Sequence, residues 1–100
     1  MRYKLNNGKV FDTDKAKKTW EEDREWDGRN HISVNTGSQW DHEQLYLSKS
    51  GNWFLESWSD YQGSLPSIEN ISARDAAVWL SLNNEELPIE LEKVKIEIME

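Results

Sequence analysis

The sequence predicts a small α+β domain. An antiparallel sheet of two hairpins, four to five strands in all, packs against one main helix, with one or two further short helices. Three stretches carry that expectation. Asn7-Gly8 lies between two short runs, and such a pair takes the positive φ that a tight hairpin turn requires. Residues 45–63, LYLSKSGNWFLESWSDYQG, alternate as a second hairpin would. Residues 73–82, ARDAAVWLSL, are apolar over more than half a helical circumference and follow Ser72, a good helix cap.

In chain order, YKL-NNG-KVFD gives strands over 2–6 and 9–12, with Leu5 opposite Val10. Thr13 or Asp14 then caps a helix over 14–25. In that helix Ala16 and Trp20 share a stripe, while Lys17–Glu21 and Lys18–Glu22 pair four apart on the exposed side. Lys15, Lys17 and Lys18 resemble a phosphate site only in isolation. Acids follow them closely, and a solvated helix face is the simpler reading. Asp27-Gly28 ends the helix. Residues 28–43 are rich in Gly, Ser and Asn and read mainly as a long loop, with one short strand at His31–Val34.

The second hairpin turns at Lys49-Ser50-Gly51, with glycine left-handed in a bulge. That register pairs Leu47 with Trp53, Tyr46 with Phe54 and Leu45 with Leu55. One face then carries Leu45, Leu47, Trp53 and Leu55. The other carries Gln44, Tyr46, Phe54, Glu56 and Trp58, and a slip of one residue would scramble the two. Ile68 and Ile71 lead into the helix at 73–82, which Asn83-Asn84 ends with a left-handed stop. From Pro88 the spacing of Leu87, Leu91, Val94 and Ile98 fits a helix over 88 to about 95, whereas Val94, Ile96 and Ile98 alternate like a strand.

One hundred residues make one domain, 1–100. Mean hydropathy is low at −0.91, and six tryptophans supply the core that the other residues do not. Without cysteine, disulfides, thiol catalysis and cysteine-bound zinc are excluded. No apolar run is long enough for a membrane span and MRYKLNNGKV lacks a secretory pattern, so a cytoplasmic protein is expected. Residues 1–30 carry eight cations against seven acids, whereas residues 31–100 carry four against twelve. That acidic field disfavours direct binding to nucleic acid and favours a basic protein partner.

Chemistry is sparse. Asp41-His42-Glu43 reads as a solvated loop, since sequence neighbours on a strand point apart and do not converge on a metal. No nucleophile elbow, phosphate loop or dinucleotide fingerprint is present. No enzyme activity, cofactor or metal is expected. The aromatic face is the better candidate: Tyr46, Phe54 and Trp58, with Trp40 and Tyr61, flanked by Asp41, Glu43, Glu56 and Asp60. Interfaces centre on such rings within a polar rim. The competing reading places the face in the core under the 14–25 helix, and a mixed outcome would leave Tyr46 and Trp58 at an edge. The core reading has the stronger case, because two helices suffice to cover both sheet faces.

Gly8–Thr13 (GKVFDT), Leu45–Leu55 (LYLSKSGNWFL) and Ile71–Pro88 (ISARDAAVWLSLNNEELP) resemble the pattern of small uncharacterised accessory proteins of bacterial plasmids, integrated elements and phages. Residues 26–43 lie outside the resemblance. It implies an accessory gene on a mobile element and transfers no catalytic residue. The expected function is an acidic protein-binding module that blocks a basic, nucleic-acid-handling host protein, of the anti-CRISPR or anti-restriction kind. The alternatives are a homodimerising module and a carbohydrate-binding module using exposed tryptophan.

Overall fold

The computed structural model describes residues 1–94. Strands β1 (Arg2–Lys4) and β2 (Val10–Asp12) form the first hairpin around Gly8, where φ is +80°, with Val10 opposite Lys4 and not the expected Leu5. A 3-10 turn at Thr13–Lys15 leads to β3 (Lys18–Glu21). A small hairpin, β4 (Arg24–Trp26) and β5 (His31–Ser33), follows. Then come β6 (Asp41–Leu47), β7 (Trp53–Ser59), β8 (Ser67–Ile71), α1 (Ala73–Leu82) and a 3-10 turn at Ile89–Leu91. The antiparallel order β3-β6-β7-β8 makes the main sheet, and each of the other hairpins is a separate two-stranded sheet.

The α+β class holds, with eight strands among the described residues instead of four or five. The β6–β7 register is the expected one, with Leu45↔Leu55, Tyr46↔Phe54 and Leu47↔Trp53. Gly51 sits at φ +88° in the turn. Helix α1 spans 73–82 as expected, with the Ser72 hydroxyl accepting from the Asp75 amide at 3.0 Å. At its end Asn84 takes the left-handed φ of 59°.

Residues 14–25 are not a helix. The Asp12 carboxylate caps a single 3-10 turn by accepting from the Asp14 amide, and at Ala16 the backbone is already extended. Strand β3 then lies along β6, placing Trp20 opposite Leu45 and stacking it on Trp53 with centroids 5.5 Å apart. A stripe of only two apolar residues was too narrow to hold a helix against the unfilled edge of β6. The expected i,i+4 ion pairs are replaced by distant ones. Lys17 and Lys18 both reach Glu90, at 3.0 and 2.9 Å. The Lys18 bond, followed by the Glu90 backbone and Lys17, holds the Glu90 carboxyl down at about 2.

The 28–43 stretch carries the expected short strand, as β5 at His31–Ser33, while its last three residues belong to β6 rather than to a loop. Asp27-Gly28 turns a hairpin instead of ending a helix. The Asp27 carboxylate accepts from the Arg29 and Asn30 amides, both at 2.8 Å, and is held below the usual range by those two bonds. After Pro88 there is one 3-10 turn in place of a helix to about residue 95; residue 95 and everything beyond it lie outside the described residues.

The main sheet has a core on each side. Leu45, Leu47 and Trp53 meet Ala76, Ala77, Trp79 and Leu80 of α1, with Leu91 closing one end. On the opposite side Tyr46 and Phe54 meet Phe11 of β2, flanked by Leu5, Ala16 and Ile68. The first hairpin is therefore a layer over the sheet rather than part of it.

Asn83 ties the α1 terminus to Asp23, between β3 and β4, and to Asn35, just past β5. Its buried Oδ1 accepts from the Asp23 amide at 2.7 Å and from Asn35 Nδ2 at 3.2 Å, while its Nδ2 donates to Trp79 O and Asn35 Oδ1 at 2.7 and 2.8 Å. Asn83→Ala should lose about 2–3 kcal/mol, because it strands several partners at once. Urea unfolding of variant and wild type checks this, with a loss below about 1 kcal/mol contradicting it.

Candidate acidic aromatic site at the open end of the second hairpin

The nine residues expected to bind a partner divide into three groups. Tyr46 and Phe54 are buried, only 6% and 3% exposed, and Phe11 covers them. Phe11 stacks on Phe54 at 4.3 Å and meets Tyr46 edge-on at 5.9 Å. Glu56 belongs to the same interior: its carboxylate accepts from the Tyr46 hydroxyl at 2.9 Å and from the Tyr3 hydroxyl. Burial, and then those bonds to Glu56, push both phenols well above their ordinary range. These three residues form no open surface. Burial prevailed, with a hairpin in the place of the expected helix.

Glu43 and Trp58 are half-buried. Glu43 accepts from the Trp79 indole at 3.3 Å, and its carboxyl is raised chiefly by burial against the lowering effect of that bond.

Trp40, Asp41, Asp60 and Tyr61 are exposed and come together. The Asp41↔Ser59 pair ends the β6–β7 ladder, and the Asp60 amide donates to Trp40 O at 2.9 Å, one step further. Trp40 and Tyr61 thus face each other across the open end, with ring centroids 5.5 Å apart. Ser38 Oγ accepts from the Trp40 and Asp41 amides, fixing the approach to β6. Leu65, 87% exposed, stands on the connection between β7 and β8, beside Asp41 and Trp58.

Beneath this rim lies a group that the sequence did not reveal. His42 is buried between two carboxylates, with Nε2 2.7 Å from Asp60 Oδ2 and Nδ1 3.0 Å from Glu22 Oε2. Trp58 packs against its ring at 5.7 Å. The Glu22 side chain is itself buried and accepts from the Glu43 amide at 2.8 Å. Arg24 closes the cluster, with a terminal nitrogen 2.9 Å from His42 Nδ1 and its Nε 3.5 Å from Glu22 Oε2.

Burial pulls the imidazole down and Arg24 adds to that. The bonds to Asp60 and Glu22 outweigh both, so the pKa is raised. An imidazole engaged at both nitrogens has no lone pair to offer a substrate. Its two carboxylates also stand on opposite ring atoms, and among the described residues no three such side chains converge to hold a metal ion.

The solvated-loop reading of His42 is thereby corrected. Extending the β6 alternation two residues back from Gln44 puts His42 on the Trp58 face, which is the one signal the sequence held. Glu22 and Asp60 lie 20 and 18 residues away, and nothing local marks them. Among the described residues no helix is long and apolar enough to cross a membrane. Comparison with protein-family models, curated proteins and solved structures returns no match.

Proposed function

We propose that this chain is a protein-binding module that docks a basic partner through the open end of its second hairpin. The observation that carries this reading is the exposed Trp40–Tyr61 pair rimmed by Asp41 and Asp60 in a chain of net charge −7. Tryptophan and tyrosine supply large contact area at little entropic cost, and surrounding carboxylates steer a cationic surface toward them. The partner class is a basic, nucleic-acid-handling protein that docking would block. An accessory inhibitor of a phage or mobile element, of the anti-CRISPR or anti-restriction kind, fits the acidic charge and the sequence resemblance.

Immobilised wild type and Trp40→Ala/Tyr61→Ala, each exposed to a bacterial lysate at low and raised salt, test the reading. A basic protein should be retained by wild type at low salt, released as salt shortens the screening length, and lost with the double variant. Equal retention by both chains, or retention of no basic protein at low salt, overturns it.

A further inference from the structure

A cleft of about 690 Å³ lies between the first hairpin and the β6–β7 turn, remote from the aromatic rim. Its walls carry Arg2, Lys9, Lys15 and Lys49 against a single carboxylate, Asp12. Four cations and one acid make a local charge of +3. The whole chain carries −7, so everything outside the cleft sums to −10.

The lysines are also uncommitted. Lys17 and Lys18 find Glu90, whereas among the described residues Lys9, Lys15 and Lys49 have no carboxylate within ion-pair distance. Arg2 meets Asp12 through Nε alone, at 3.4 Å, which leaves its two terminal nitrogens to donate elsewhere. In a protein with 19 acids, these three ammonium groups and the Arg2 guanidinium share one concavity with a single carboxylate.

We propose that this cleft binds a compact, multiply charged anion of the oligophosphate class, either free or as the tail of a nucleotide. The walls offer a guanidinium, which can fork onto phosphate oxygens, and three mobile ammonium groups. Neutral donors complete the lining. The Ser48 and Ser50 hydroxyls stand 2.9 Å apart at the turn, and Asn70 also lines the cleft. A volume of this size suits a small ligand rather than a protein segment. The charge of the rest of the chain favours a short anion over a polymer: the −10 carried outside the cleft repels a long phosphate backbone more than it repels a tri- or tetra-anion held inside.

Titration calorimetry of the full chain at low ionic strength provides the test, with tripolyphosphate and ATP as probes. Lys15→Gln/Lys49→Gln should weaken tripolyphosphate by about tenfold or more, while Arg29→Gln/Arg74→Gln, the same charge change outside the cleft, should shift it by less than about twofold. Equal affinity for the two probes identifies the oligophosphate alone as the ligand. Tighter ATP binding identifies a nucleotide, and both outcomes support the site. No heat from either probe, or equal weakening by the two double variants, overturns it.

Discussion

Phe54→Ala is expected to lower stability by about 3–5 kcal/mol and to leave partner docking to the Trp40–Tyr61 rim untouched. The ring is 3% exposed and stacked on Phe11 at 4.3 Å. Removing it opens a void between two layers joined here through side chains. The β1–β2 hairpin pairs only with itself and contributes no strand to the main sheet. It therefore cannot follow the missing ring inward without moving as a body, so little of the cavity will close. Phe11→Ala should cost a similar amount. The double variant should cost clearly less than the two losses added, because each removes the other's partner. Urea unfolding followed by tryptophan fluorescence measures all three. A loss below about 1 kcal/mol for Phe54→Ala would mean that the hairpin does not rest on this face in solution, and would restore Tyr46 and Phe54 as open surface.

This face also shows what the sequence could reveal. Alternation placed Tyr46, Phe54, Glu56 and Trp58 on one side and Leu45, Leu47 and Trp53 on the other, and the β6–β7 register agrees pair by pair. Helix α1 was equally legible, from the Ser72 cap to the left-handed Asn84. Both are local patterns of ten or so residues in which turn chemistry, propensity and polarity agree. What lay over the aromatic face was not legible. Phe11 is 43 residues from Phe54, and nothing in GKVFD distinguishes a strand that joins a sheet from one that lies across it.

The expected helix at 14–25 failed for a related reason. DKAKKTWEED has the charge spacing of a helix, and that spacing proved indifferent to geometry. Lys17, Lys18 and Glu22 all formed ion pairs, but with Glu90 and His42 rather than with one another. Weak surface pairs worth a few tenths of a kcal/mol could not decide the backbone. Pairing with β6 and stacking Trp20 on Trp53 could, because they satisfy a strand edge and bury an indole together. The candidate site was legible in the same partial way. Trp40, Asp41, Asp60 and Tyr61 meet because register continues one step past the ladder. The buried charge cluster beneath them needed contacts no local pattern supplies.

His42→Ala is expected to cost about 3–5 kcal/mol near neutral pH, the range for removing one partner from a buried ion pair. Glu22 bears most of that loss. Its side chain is 5% exposed, whereas Asp60, at 52%, can turn to water. His42→Gln keeps a donor and some bulk and should cost less. The pair of variants also reports the charge of the ring. A raised imidazole pKa stabilises the fold fully below the ordinary value of 6.5, and that contribution fades as pH rises through the folded value. The facing groups are Glu22 beyond β3, Arg24 on β4 and Asp60 beyond β7, with Glu43 beside Glu22. The margin of wild type over His42→Gln, followed by thermal unfolding, should therefore shrink from pH 6.5 upward. A margin that stays flat would assign a neutral ring whose Nδ1 accepts from Arg24 in place of donating to Glu22. In that case the Glu22 charge would be held by Arg24 alone, and Arg24→Gln rather than His42→Gln would reproduce the loss seen with His42→Ala.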